Sequence, residues 1–295
     1  MSADAVETSG AAAAAPGRLR LLRALLATPS GLFGLCGVAM ITLAALLAPW
    51  LAPCDPDVQF AGLRLVPAGT GGHWLGTDEL SRDLLSRALF GSRISLLVGF
   101  TSVSAGAVLG IVAGLVAGMG PRWLDALLMR GCDILLAYPG ILLAVMTVAI
   151  LGAGLAQICI AVALVNIPIF ARLMRASVLR ERELDYVKAA VVQGSGPWRI
   201  MLRHVLPNSI GVVITQLASA AGHAILLEAS LSFIGLGIKP PAASWGTMLS
   251  SSRDYLATAP LYAVVPGLLL LVLVLALNQL GDALHKALDP LGRSL

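Results

Sequence analysis

The chain has 295 residues, of which 58% are hydrophobic and only 12% are charged, and its mean hydropathy is +0.88. A soluble domain usually carries about 25% charged residues, so this composition indicates a polytopic membrane protein with one membrane domain. The formal net charge is a modest +4, and the basic residues lie between apolar segments. This distribution argues against nucleic-acid binding.

Windows without charged residues locate the membrane spans. A helix rises about 1.5 Å per residue and the hydrocarbon layer is about 30 Å thick. The window 134–171 is therefore long enough for two crossings, with Gly152-Ala153-Gly154 as the turn between them. Apolar residues at helical spacing from Trp123 onward also allow the third span to begin earlier. The predicted spans are six in number, over residues 31–51, 94–118, 130–151, 155–172, 210–230 and 261–281.

Six spans place both termini on the same side of the membrane. Fourteen of the 20 Lys and Arg residues then lie on that side, so the positive-inside rule predicts cytoplasmic termini. The apolar run that follows Arg23 and ends near Cys54 faintly resembles a lipoprotein signal. It is too long for a signal sequence, and Pro53 precedes the cysteine, so we interpret it as the first span.

The first predicted extracytoplasmic loop covers residues 52–93 and begins with a turn-rich half. Thr77 or Asp78 is placed to cap a helix over Glu79–Phe90, whose leucines share one face. Such a helix would lie flat on the membrane surface. It could serve as a lid that closes the bundle or as a platform for an extracytoplasmic partner.

The second span carries glycines spaced by four residues. Such a stripe lets another helix approach closely, so it predicts a packing seam rather than a substrate feature. The glycines are Gly106, Gly110, Gly114 and Gly118.

Polar and helix-breaking residues inside spans are candidates for function. Asp133 is followed by Pro139, which interrupts the backbone hydrogen-bond ladder, and Asn166 lies in the fourth span. Glu228 lies at the end of the fifth span. Structural alternatives stay open, because Asp133 could pair with Arg130 and Glu228 could lie at the membrane interface.

A basic segment, residues 173–209, separates the fourth and fifth spans. Its pattern predicts a short helix from Asp185 to Gln193, which is broken by Gly194-Ser195-Gly196. Pro197 then opens a second helix that ends towards His204, before Pro207. Residue chemistry alone supports a docking element and a passive loop about equally.

The segment contains Lys188-Ala189-Ala190, then Gly194, then His204-Val205-Leu206-Pro207. This motif resembles the cytoplasmic "EAA" loop of permease subunits of binding-protein-dependent ABC importers. Lys188 stands where that family usually has Glu, so a contact made by that carboxylate is not carried over. The resemblance assigns an ATPase-coupling role to Tyr186, Lys188, Ala189, Ala190, Gly194, His204, Leu206 and Pro207.

Further motifs are similar to those of the second permease subunit of dipeptide, oligopeptide and nickel importers. They follow one another in family order over about residues 20–291. They include His73-Trp74-Leu75-Gly76-Thr77-Asp78, Glu228-Ala229-Ser230-Leu231-Ser232-Phe233 and Asn278-Gln279-Leu280-Gly281-Asp282.

The resemblance implies an all-α membrane protein with six transmembrane helices of the type I ABC importer permease fold. It also implies an extracytoplasmic interfacial helix and a cytoplasmic coupling helix. The implied division is an N-terminal tail 1–30, a first span with its loop 31–92, a permease domain 93–282 containing the coupling loop 173–209, and a C-terminal tail 283–295.

The resemblance also implies partners in the inner or plasma membrane of a prokaryote. They are a homologous permease subunit, two ABC ATPase subunits, an extracytoplasmic solute-binding protein and membrane lipid. The chain lacks the Gly-rich loop with Lys and Ser/Thr that cradles nucleotide phosphates, so we assign ATP and Mg²⁺ to the partner subunits. We expect the chain itself to bind no cofactor or metal and to have no catalytic residue. Dipeptides, oligopeptides, glutathione-like compounds and nickel chelates all stay open as solutes.

Two other classes of membrane protein fit the sequence less well. A secondary, ion-coupled transporter would need inverted repeats and midplane ion-binding residues, and no clear repeat is visible. A membrane-embedded enzyme would need clustered histidines or carboxylates. The histidines are scattered over different segments, at His73, His204, His223 and His285.

Overall fold

The computed structural model describes residues 23–288 apart from Ala24. Most of the predicted N-terminal tail and the end of the predicted C-terminal tail therefore lie outside the described residues. Within the described part the chain is helical, and its β-structure is limited to two isolated bridges, Thr70–His73 and Thr77–Asp83.

Helices of very different length make up most of the described structure. They are, in chain order, α1 (Pro29–Leu46), α2 (Ala48–Leu51), α3 (Leu84–Met119), α4 (Arg122–Leu136), α5 (Gly140–Leu151), α6 (Leu155–Glu181), α7 (Asp185–Val192), α8 (Pro197–Ile200), α9 (Leu206–Phe233), α10 (Trp245–Ser252) and α11 (Leu261–Leu288). A π-helical turn, Met201–Val205, joins α8 to α9, and a 3₁₀ turn, Arg253–Tyr255, follows α10.

Five helical segments are long and apolar enough to cross a membrane: α1, α3, α6, the continuous run Pro197–Phe233, and α11. Helices α4 and α5 meet the same criterion only as a pair, which is bent by 91° at a short break. Six spans, as predicted, are found by length and composition when this bent pair counts as one span. The break between α4 and α5 coincides with Pro139, which precedes the first residue of α5.

Two ends of the bundle need names. The first-loop end contains residues 52–83 and 234–260, and the helical-loop end contains residues 182–205. Helices α3 and α6 both start near the first-loop end and finish at the helical-loop end, whereas α9 runs back in the opposite direction.

The surface helix predicted over Glu79–Phe90 is wrong. Residues 79–83 form turns, and α3 runs without interruption from Leu84 to Met119. The cap is Asp83, whose carboxylate accepts the Ser86 backbone N–H at 2.8 Å, and not Thr77 or Asp78. The predicted surface segment is thus the first turns of a spanning helix, and the domain boundary drawn at residues 92 and 93 falls inside that helix.

Packing around Gly91 helps to explain why α3 is helical before and after this residue. A Cβ at this position would lie only 3.2 Å from Cδ1 of the buried Trp245, so glycine permits the close approach of α10. The indole N–H of Trp245 also donates to the carbonyl of Ala88 at 2.9 Å. The start of α3 is therefore held by tertiary packing, which a reading of local pattern does not detect.

The predicted end of the second helix in the basic segment is also wrong. It does not stop before Pro207 but continues through the π turn into α9, giving one helical run from Pro197 to Phe233. Pro207 has no N–H to donate to the carbonyl four residues earlier. The wider π turn just before it lets the helix pass this position without ending.

Helices α3 and α6 are packed along the glycine stripe. A Cβ at Gly110 would lie 2.6 Å from the carbonyl oxygen of Ile167, and one at Gly114 would lie 2.5 Å from that of Ala171. Gly106 likewise leaves room for Ala163. The backbones therefore approach more closely than any side chain on this face would allow.

The first-loop end is stabilised by buried ion pairs. Asp78 is fully buried, and its carboxylate accepts the Nε–H of Arg82 at 2.6 Å and lies 3.4 Å from Nε of Arg87. Asp83 accepts from the ring of His73 at 2.8 Å, which fixes the loop against the start of α3. Removing one partner of such a pair leaves an uncompensated buried charge, so these contacts hold the loop in one conformation.

Candidate functional site

The helical-loop end contains the residues assigned to coupling. Helix α7 is closed by Gly194, which has a φ of +79° that disfavours other residues. The N–H of Ser195 donates to the carbonyl of Ala190, and that of Gly194 donates to the carbonyl of Val191, both at 3.0 Å. This is a Schellman motif, and it turns the chain sharply towards Pro197, the first residue of α8.

Only one side of α7 is free to meet a partner. Ala189 is exposed, whereas Ala190 is only 8% exposed and packs inward together with Val187. The two neighbouring alanines of the motif therefore face different sides of the helix. Val192, at 88% exposure, and Trp198, at 69%, are large apolar side chains of the same segment that are also exposed.

Lys188 lies on the exposed side of α7. Its ammonium group is 3.6 Å from the carboxylate of Glu183, and both side chains are more than half exposed. A surface pair of this kind contributes about 0–1 kcal/mol, so Lys188 is not held in place by the fold. Its charge is available to a partner surface.

Tyr186 lies in the first turn of α7 and joins three elements. Its phenol O–H donates to Oε2 of Glu181, the last residue of α6, at 2.7 Å. Its oxygen accepts from the side-chain amide of Asn208, in the first turn of α9, at 2.9 Å. Burial and the bond to the Glu181 carboxylate raise the pKa of Tyr186 to about 12, so the phenol stays protonated at neutral pH.

The sequence analysis missed Glu181 and Asn208. Asn208 is 22 residues from Tyr186, and nothing in local spacing predicts that they meet. The other assigned residues lie close by: His204 is in the π turn, and Leu206 and Pro207 are the first two residues of α9. The ring of His204 lies 6.4 Å from that of Tyr186, and its carbonyl accepts a second bond from Asn208.

Asp133 is paired with Arg172 of α6 at 2.5 Å, and not with Arg130 as the sequence allowed. Both side chains of this pair are about half exposed in the isolated chain. A charged pair on helices that cross a membrane needs contact with water, with lipid headgroups or with another protein. Lipid tails therefore do not cover the whole of the surface near the bend at Pro139, where this pair lies.

Asn166 and Glu228 are both buried inside the bundle. The side-chain amide of Asn166 donates to the carbonyl of Val162 at 2.8 Å, one turn earlier in α6. Oε1 of Glu228 accepts from the hydroxyls of Ser232 and Ser244 at 2.8 and 2.9 Å. Glu228 joins α9 to Ser244, the cap of α10, so its contacts within the chain are structural.

Family models match most of the chain. The model described as "Binding-protein-dependent transport system inner membrane component" matches residues 110–293, and that described as "N-terminal TM domain of oligopeptide transport permease C" matches residues 20–67. The chain belongs to the family of binding-protein-dependent inner-membrane permease components. The resemblance noted in the sequence is thereby confirmed, and an ATP-driven importer is favoured over an ion-coupled transporter.

Named relatives are similar over most of their length. The chain is 44% identical to the glutathione transport system permease protein GsiD of Pectobacterium atrosepticum over 271 residues, covering 92% of this chain and 89% of that one. It is 47% identical to the di/tripeptide transport system permease protein DppC of Pseudomonas aeruginosa over 262 residues, covering 87% and 86%.

The fold also has solved neighbours. Two inward-facing crystal forms of the MetNI methionine ABC transporter match with TM-scores of 0.57 and 0.59 at 21% and 19% identity. Each comparison covers 70% of this chain and at least 96% of the other. These matches show that this permease component has the membrane fold of a type I ABC importer.

Proposed function

We propose that this permease component imports small peptides or a peptide-like solute such as glutathione. It would do so paired with a homologous permease, with two ATPase subunits docked at its helical-loop end. The names of the two relatives support the solute class, since one is a glutathione and the other a di/tripeptide system protein. ATP and Mg²⁺ would be bound by the ATPases, and the chain itself would carry no catalytic group.

The exposed face of α7 and α8 is the observation that carries this proposal. Val192 and Trp198 are large apolar side chains that are mostly exposed on a segment with many basic neighbours. Exposed apolar clusters with a polar rim are typical of protein–protein contacts. A soluble subunit that accepts Val192 in an apolar groove accounts for this face better than lipid does, because Arg199 and Arg203 lie beside it.

Orientation follows from the same docking. ATP is a cytoplasmic substrate, so the helical-loop end would face the cytoplasm and both termini would lie there too. The first-loop end would then face outward and receive the solute-binding protein. Its buried ion pairs support a rigid receiving surface, since docking to a fixed surface orders few additional groups.

The exposed apolar surfaces of the spans support a second membrane subunit and lipid as neighbours. Val108, Leu109 and Val112 of α3 are more than half exposed in the isolated chain. In a membrane such residues contact lipid tails or another helix. The half-exposed pair Asp133–Arg172 is better matched by the interface with a homologous permease or by an aqueous path than by lipid.

The test is co-purification of the tagged chain from detergent-solubilised membranes that contain its operon partners. The variant Val192→Glu places a charge in the proposed ATPase contact, and Val58→Glu makes the same change on an exposed valine of the first-loop end. We expect Val192→Glu to lose the ATPases and keep the second permease, and Val58→Glu to keep both. Retention of the ATPases by Val192→Glu, or their absence from the unmodified chain, would contradict the proposal.

A further inference from the structure

Three helices, α6, α7 and α9, are joined through the side chain of Tyr186. Helix α7 follows α6 after a short connection, residues 182–184, so these two are already linked by the backbone. Helix α9 is connected to α7 only through α8 and the π turn. The side chains of Tyr186 and Asn208 close this longer path directly, at 2.9 Å.

The phenol hydroxyl makes two hydrogen bonds of opposite direction. It donates one proton, to Glu181 Oε2, and accepts one, from Asn208 Nδ2. Glu181 is only 6% exposed, so its carboxylate depends on such donors for stabilisation. Asn208 is fixed in turn by its second bond, at 2.8 Å, to the carbonyl of His204 in the π turn.

We propose that Tyr186 is the positioning residue that makes α6, α7 and α9 move as one body, so that a displacement of α7 reaches two spans together. This inference rests on the proposed function, because it takes the ATPases to act on α7. Without the phenol hydroxyl, α7 would still bind its partner through Ala189 and Val192. Its motion would then reach α6 through the backbone and would reach α9 only through the compliant π turn.

The π turn explains why a side-chain link is needed. Its backbone hydrogen bonds skip five residues rather than four, as between the Leu206 N–H and the Met201 carbonyl. Such turns are found as single irregularities in helices, frequently at functional sites, and we take this one to be less rigid than a regular helix. Asn208 bridges across this turn to Tyr186, so the pair carries force around the compliant element instead of through it.

The experiment uses the complete importer reconstituted in liposomes with its binding protein, with a tripeptide as the transported probe. Two quantities are measured, ATP hydrolysis and peptide accumulation, and their ratio reports coupling. We expect Tyr186→Phe to retain the ATPases and basal hydrolysis while peptide transported per ATP falls about fivefold, as expected for the loss of one hydrogen bond from a two-state equilibrium. Thr147→Val, which loses one hydroxyl bond to the Leu143 carbonyl within α5 and so joins no two helices, is the matched control and should leave the ratio unchanged.

A second variant keeps the inference testable if Tyr186→Phe fails to assemble. Asn208→Ala keeps the bond from Tyr186 to Glu181 but removes the link to Tyr186, together with the local bond to the His204 carbonyl, and should lower the same ratio. The double variant should be no worse than the single ones, because all break one path. An unchanged ratio in either variant that assembles, or additive losses in the double variant, would overturn the inference. Loss of the ATPases from the unmodified complex would instead contradict the proposed function.

Discussion

The glycine stripe between α3 and α6 allows a quantitative test of packing. Gly114→Ala adds a Cβ 2.5 Å from the carbonyl oxygen of Ala171, whereas ordinary contact begins at 3.4 Å. The two backbones must therefore separate by about 0.9 Å, the difference between those distances. Because neither atom belongs to a flexible side chain, the separation must spread along the seam to its neighbour, Gly110.

The cost can be isolated by a matched substitution. Overpacking of this kind costs about 1–3 kcal/mol. Alanine also has a better helix propensity than glycine, which stabilises the helix by up to about 1 kcal/mol. This gain is common to any Gly→Ala change within a helix. Gly211→Ala, in α9, meets no atom within 4 Å and supplies that shared term alone. The difference between the two variants is then the packing cost, about 1–3 kcal/mol in favour of Gly211→Ala.

The assay is the free energy of unfolding in mixed micelles, from a sodium dodecyl sulfate titration followed by tryptophan fluorescence. Gly222→Ala is an intermediate case, because its nearest neighbour would lie at 3.6 Å, and should behave like Gly211→Ala. If Gly114→Ala is as stable as Gly211→Ala, the close approach of α3 and α6 is not a stabilising contact and the reasoning fails.

Three further predictions concern the first-loop end. Asp83→Ala removes the α3 cap and the partner of buried His73, so the same titration should show a loss of about 2–4 kcal/mol; a loss below about 1 kcal/mol would argue against the buried network. Glu228→Leu removes the carboxylate that accepts from the Ser232 and Ser244 hydroxyls and should lower the free energy of unfolding by about 1–3 kcal/mol. Glu228→Gln keeps an acceptor oxygen and should lower it less; equal losses in the two variants would contradict this. Burial raises the pKa of the Cys54 thiol, so less of it is thiolate at about pH 8. A variant whose single cysteine is Cys54 should therefore react with maleimide more slowly when folded than when denatured. The two reaction rates should become more similar as the pH rises.

The positions of the spans could be predicted because they depend on composition over long windows. A window of about 20 apolar residues identifies a helix in a membrane whatever its tertiary contacts are. The two wrong helix boundaries both lie where polar residues or proline occur next to such a window. The span predicted to begin after Arg93 begins at Leu84, because packing against Trp245 holds this part of the helix. Pro207 does not end the helix that starts at Pro197, because a π turn lets the helix continue.

The candidate site was only partly predictable for a similar reason. The motif located α7 and its closing glycine, because Gly194 is required by local backbone geometry. It could not show that Ala189 faces outward and Ala190 inward, since a short helix with small residues has no strong pattern of faces. The contact of Tyr186 with Asn208 depends on how α6 and α9 pack, which no local rule contains.

The uninterrupted length of α3 has a mechanical consequence. At 36 residues it is about 54 Å long, well beyond the thickness of the hydrocarbon layer. Asp83 anchors one tip in the ion pairs of the first loop, and Arg182 donates to the Gly118 carbonyl, at 2.8 Å, near the other tip. A tilt of about 5° around the midpoint would swing each tip by about 2 Å in opposite senses. If the helix tilts as a rigid body, a sideways displacement of one end therefore moves the other end in the opposite direction.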